Sequence, residues 1–275
     1  MMKRILIVTL LFFCAYTYAQ RKPKIKGNKN VIDVVQDLPS FTAIELNDDL
    51  DITLKRGDVE GYSITADDNL IDVLKLRVVN GTLKISSFYK ITRKKKLDII
   101  VNFVELDAIV MRGGRIRMED IVESEELYVN TFENSKLELN AQSPYVEINM
   151  EDNSSGNFNI DSDSLQINLK DRIDVSVYST SSTNSIFMTD TSSAKMDGTT
   201  DVLNVKLLGS SNLKAEKLQA STVSVTLSES PSARVYASNS IELSSSGASK
   251  TYFYGDGKMV LLDFLDTSEL HKKKN

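Results

Sequence analysis

From residue 127 onward, short apolar–x–apolar triplets recur at a nearly constant interval. Their middle residues are Val129, Ile148, Ile167, Ile186, Val205, Val225 and Ile241, spaced by 19, 19, 19, 19, 20 and 16 positions. A repeat this short, kept over so many units, describes stacked supersecondary units. Within a unit the apolar residues alternate with polar ones, as in Val146/Ile148/Met150 and Leu203/Val205/Leu207, so they share one face of a strand. Two units open on a polar residue instead, Asn184 and Asn239. A second apolar column lies eight residues after each centre: Leu137, Val175, Ala194, Leu213 and Ala233, with Phe158 arriving late in the second unit. A third column, five residues after each centre, consists mainly of turn formers: Asn134, Asn153, Arg172, Thr191, Ser210, Ser230 and Ser246.

One coil of this length cannot bury its own apolar face, whereas stacked coils merge their faces into a continuous interior. The expected fold is therefore all-β: a single-stranded parallel β-helix (β-solenoid) with coils of about 19 residues. An antiparallel sandwich or prism is the competing arrangement, because short, evenly spaced strands also suit it.

The chain before the repeat is less regular. Residues 1–19 have a basic start at Lys3 and Arg4, an apolar run and small residues near Ala19, as a secretory signal peptide does. Phe13 ahead of Cys14 argues against lipoprotein processing. Removal of this segment takes away Cys14, the one cysteine, so the mature chain must hold together by packing and backbone pairing. Residues 20–32 form a basic segment expected to be a flexible leader. Residues 33–125 are expected to continue or cap the solenoid. In that stretch Arg77-Val78-Val79, Asn80-Gly81 and Thr82–Ile85 carry a hairpin signature, and residues 66–74 form a short helix or irregular link. Residues 126–257 hold the regular coils. Residues 258–275 contain Met259–Leu265, expected as a cap over the open end, and a charged tail.

Several function classes fall to counting. The only histidine, His271, lies in the tail, so no Ser–His–Asp arrangement and no Cys/His zinc site can be assembled. No phosphate-binding or dinucleotide motif is present. The 38 acidic residues outnumber the 33 basic ones, and the excess grows once Lys3 and Arg4 leave with the signal peptide, which argues against nucleic acid as a partner. No second apolar stretch is long enough to span a bilayer. Carboxylate chemistry survives counting: Asp161, Asp163, Asp171, Arg172 and Asp174 cluster near the third coil, where a polysaccharide-acting β-helix could place an acid and a base. Strand boundaries rich in Asp explain the same residues as turns.

The segments FTAIELNDDLDITLKRGD (41–58) and GSSNLKAEKLQASTVSVTLSESPSARVYASNSIELSSSGASKTYFYGDG (209–257) resemble the putative auto-transporter adhesin, head GIN domain family of exported bacterial proteins, many from the Bacteroidetes. Family members usually show glycine-serine-glycine turns. Here the turns read Gly209-Ser210-Ser211, Ser228-Glu229-Ser230 and Ser245-Ser246-Gly247. The resemblance implies an exported solenoid with an adhesive role, and it supplies no catalytic residues.

The expectation is thus a non-enzymatic, exported binding or structural module of the cell envelope, with no catalytic, cofactor or metal residues. It places the protein in the periplasm, on the outer-membrane surface or outside the cell. The alternatives are the polysaccharide enzyme and a scaffold that self-associates end to end. The candidate surface residues are Tyr128, Tyr145, Asp171, Arg172 and Tyr178, and the expected partners are a glycan or an envelope protein.

Overall fold

A computed structural model describes residues 22–274; the signal-peptide reading of 1–19 lies outside them. Strands dominate, with a single four-residue helix among the described residues. Two columns of parallel strands make up the stack. The first column contains β3 (Ala43–Leu46), β10 (Ala108–Arg112), β12 (Glu126–Phe132) and β14 (Tyr145–Met150), then the second halves of β15 (Ser155–Leu169), β16 (Asp174–Met188), β17 (Ser193–Gly209), β18 (Asn212–Glu229) and β19 (Ser232–Ser245), and finally β21 (Lys258–Phe264). The second column contains β4 (Asp51–Arg56), β11 (Arg115–Glu123), β13 (Lys136–Gln142), the first halves of β15 to β19, β20 (Lys250–Tyr254) and β22 (Glu269–Lys272). The fold is a parallel β-solenoid, as the repeat predicts.

The apolar columns are now physical. Ile109, Val129, Ile148, Ile167, Ile186, Val205 and Val225 stack in register and are buried. Two readings of the spacing need correction. The partner of Val225 is Leu243, while Ile241 pairs with Val223, so the last interval is 18 and not 16. Asn239 is exposed at the bend and outside the column. The second correction concerns Phe158. The slot between Leu137 and Val175 belongs to Gly156, and a Cβ there would meet the Phe158 ring at 2.4 Å. Glycine leaves room for the ring, so the unit keeps its register and only seems late. Asn184 does point inward, where Ser179 and Ser181 satisfy its amide at 3.0 and 2.7 Å.

The turn column marks a corner with one repeated backbone device. Glu133, Asp152, Asp171, Asp190, Gly209, Glu229, Gly247 and Asp266 all have positive φ, between 58° and 79°. The carbonyl of each of the first seven accepts the amide of the residue that follows the positive-φ position in the next coil: the amide of Asn153 donates to Glu133, and that of Arg172 to Asp152. The amide of Glu133 also donates to the Asp152 carboxylate at 2.8 Å, and that of Gly247 to Asp266 at 2.8 Å. Two positions beyond the positive-φ residue stands a serine in most coils. The hydroxyls of Ser135, Ser154, Ser192, Ser211 and Ser249 each donate to the carbonyl three residues back, at 2.6 to 3.0 Å, and all five side chains are buried. This inner serine ladder satisfies carbonyl groups of the corner from within the chain.

Before the repeat the chain folds back. Strands β7 (Thr82–Ser87) and β9 (Leu97–Phe103) come later in sequence than β3 and β4 but lie beneath them, in parallel. Their outer edges are taken by antiparallel neighbours: β6 (Leu74–Val79) on β7, and β5 (Gly61–Asp67) on β9, with β2 (Val31–Asp37) outside β5. The β6–β7 turn is the expected hairpin at Asn80-Gly81, both with positive φ. Helix α1 (Asp68–Ile71) connects β5 to β6 and buries Leu70. The basic segment expected as a flexible leader enters the fold: β1 (Lys24–Lys26) pairs with β8 (Lys90–Arg93).

Candidate binding surface

The five sequence candidates separate into three places. Tyr128 and Tyr145 come together on the first strand column, with ring centroids 6.0 Å apart and planes tilted by 56°. Asp171 and Arg172 sit in the positive-φ corner. The Asp171 carboxylate faces the Asp152 amide at 3.4 Å, which is a structural use, and Arg172 is exposed beside it. Tyr178 lies on the other strand column, between Asn159 and Asp197.

Strand register explains the tyrosine pair. Tyr145 lies opposite Glu126 and Tyr128 opposite Glu147, so the outward side of β12 and β14 is a checkerboard of two tyrosines and two glutamates. Each phenol donates to the glutamate two residues away on its own strand: Tyr128 to Glu126 at 2.7 Å, and Tyr145 to Glu147 at 3.0 Å. The phenol pKa of Tyr128 is raised, first by that bond and then by burial; that of Tyr145 is raised by burial and then by its bond to Glu147. Both phenols therefore remain donors; the Glu126 carboxylate is exposed and keeps free lone pairs, while Glu147 also accepts the Asn149 side-chain amide at 2.9 Å. Ala108 and Ser164 flank the pair on neighbouring strands; Tyr128 is exposed and Tyr145 half-buried.

Tyr128 and Glu126 also form one wall of a cleft of about 940 Å³ along the bend where the second column returns to the first. Glu105, Asp107, Glu123, Glu125, Asp161 and Asp163 line the rest, and Arg56, its one cation, is paired with Glu123 at 2.7 Å. The position of this cleft splits the proposed acid–base group: Asp161 and Asp163 border it, while Asp171 and Arg172 belong to the positive-φ corner and Asp174 begins a second-column strand. Sequence reasoning missed Glu105, Asp107 and Glu125, which lie in connections between strands, and Glu123, which ends β11.

A second cleft, about 750 Å³, lies at the positive-φ corner of the first coils, with Lys22, Asp48, Tyr89, Lys90, Arg112 and Glu133 in its walls. Much of its charge is spent internally: Asp48 pairs with Lys22 and accepts the Ser87 amide, and Arg112 lies 4.5 Å over the Phe132 ring. Among the described residues no group of three His, Cys, Asp or Glu is placed to hold a metal, and no helix is long and apolar enough to cross a membrane.

The sequence pattern of the family described as putative auto-transporter adhesin, head GIN domain, matches residues 40–257, which includes both strand columns up to β20 and the acidic cleft. The chain belongs to that family. No curated protein matches it. Among solved structures, a putative adhesin from Parabacteroides distasonis superposes with a TM-score of 0.70 at 14% identity, covering 90% of this chain and 99% of that one. A putative lipid binding protein from the same species gives 0.63 at 21% identity, covering 91% and 99%. A putative adhesin from Parabacteroides merdae gives 0.60 at 14%, with the same coverage. At these identities the likeness is one of fold.

Proposed function

We propose that this protein is an exported, non-enzymatic binding module of the bacterial cell envelope that recognises a neutral, hydroxyl-rich glycan. The observation that carries this reading is the Tyr128/Tyr145–Glu126/Glu147 checkerboard opening onto the acidic cleft. Its rings offer apolar faces to a sugar ring, and its carboxylates accept hydrogen bonds from hydroxyl groups. The excess of carboxylates disfavours an acidic polysaccharide or a phosphate head group at this surface. The family's adhesin description supports a binding role, and the basic, apolar start of the chain supports export.

The test is a screen of neutral and acidic oligosaccharides by saturation-transfer NMR, followed by titration of any hit. Replacing both tyrosines, Tyr128→Ala with Tyr145→Ala, should weaken binding of a neutral glycan by roughly tenfold or more while leaving the melting temperature close to wild type. Equal binding by the double variant, or a preference for acidic sugars, would overturn the proposal.

A further inference from the structure

The last rung of the solenoid breaks the rule that inward residues are buried. Leu261 continues the column of Leu243, and Phe264 that of Ser245, yet Leu261 is 48% exposed and Phe264 41%, while their predecessors are buried. Among the described residues, strands β21 and β22 each pair with one neighbour, β19 and β20 respectively. Met259–Leu265, expected to cover the open end, forms a rung of its own and leaves that rung open among the described residues.

We propose that this end binds a second copy of the same chain through the same end, with β21 running antiparallel to β21 of the copy in a closed two-fold dimer. Three observations select that occupant. An open strand edge offers backbone donors and acceptors that another strand can satisfy, whereas a lipid surface cannot. The charge pattern is self-complementary. Leu262 is a bulge in the register, so Lys258, Val260 and Asp263 share the outward side and Met259, Leu261 and Phe264 the inward side. Centring an antiparallel pair on Val260 sets Lys258 against Asp263 of the copy, and Met259 against Leu261 of the copy. Lys258 has no ion pair within its own chain among the described residues. Finally, although β2 and β6 at the opposite end also pair on one side only among the described residues, an edge that meets the same edge of the copy forms an isologous contact, so association closes at two copies.

Sedimentation velocity of the purified chain across a concentration series tests this. The wild type should dimerise. Asp263→Lys places like charges opposite each other and should weaken the dimer roughly a hundredfold or more. Adding Lys258→Asp to that variant should restore it, with circular dichroism unchanged throughout. A wild type that stays monomeric, a dimer indifferent to the charge swaps, or open filament growth would each overturn the proposal. So would a monomer that pellets with phosphatidylglycerol vesicles, which would assign the apolar rung to lipid.

Discussion

At the N-terminal end of the stack the chain doubles back over its own core, while at the C-terminal end the rung geometry continues without a cover among the described residues. The N-terminal closure uses elements foreign to a solenoid: antiparallel strands, a hairpin and a helical turn that buries Leu70. It is pinned by Asp67, a fully buried carboxylate that receives the amides of Lys29, Lys95 and Lys96 at 3.1 to 3.2 Å. Gly27 passes so close that a Cβ would fall 1.8 Å from that carboxylate. The C-terminal end has only coil residues, and its inward leucine and phenylalanine meet solvent. A repeat propagates its interior indefinitely, so termination requires non-repeating sequence, and among the described residues it is found at the N-terminal end.

The largest contrast should appear when equivalent apolar groups are truncated at the two ends. Leu70→Ala removes a buried side chain of the closed end and should cost about 2–5 kcal/mol. Leu261→Ala removes a half-exposed one, and in the monomeric Asp263→Lys background should cost less than about 1 kcal/mol. Urea denaturation of both variants decides it; equal losses would mean that the C-terminal rung is covered.

Acid should act on the closed end through Asp67. Burial alone would raise its pKa, but the backbone amides of Lys95, Lys29 and Lys96 outweigh it and hold the carboxyl below its ordinary value. Its contribution is therefore full above the ordinary carboxylate range and is lost as pH falls through the lowered folded value. Asp67→Asn should melt lower than wild type at neutral pH, and the gap should shrink as the pH approaches 3. Melting curves at several pH values check this, and a gap independent of pH would mean that the carboxylate's charge is not what pins the cap.

The inner serine ladder repeats the contrast on a smaller scale. Ser154 is buried and donates to the Glu151 carbonyl at 3.0 Å, so Ser154→Ala should cost about 0.5–1.5 kcal/mol. Ser268 makes the same bond to Leu265, but on the open rung, and Ser268→Ala should cost less than about 0.5 kcal/mol.

These differences also mark what was legible in the sequence. The regular coils were legible because apolar periodicity records strand stacking directly: Val129 to Val225 align as their spacing implies. The register of Ile241 was not, because β18 and β19 are offset by irregularities after Ala215 and Ala220 that leave no mark in an apolar pattern. Nor was the placement of β7 and β9 beneath β3 and β4, since that reversal depends on which edge a strand joins. Of the candidate surface, Tyr128 and Tyr145 could be picked as outward aromatics one coil apart. Their union with Glu105, Asp107 and Glu123 in one cleft depends on the irregular connections, which carry no period.

A further contrast lies in the corner column that runs between the two ends. Its positive-φ residues are glycine in two coils and Asp or Glu in the others. Asp earns its place at 152 and 266 by accepting an amide from the neighbouring coil. Glu229, at φ 79°, carries the left-handed strain while its side chain accepts no amide among the described residues. Glu229→Gly relieves a strain of about 1–2 kcal/mol but loosens the unfolded chain by about 0.4–1 kcal/mol. The variant should therefore be more stable by up to about 1.6 kcal/mol, whereas Asp152→Gly gives up an amide bond as well and should gain little or lose. Parallel denaturation of the two separates strain from pairing: a gain at 152 equal to that at 229 would show that the carboxylate ladder contributes nothing to holding the coils in register.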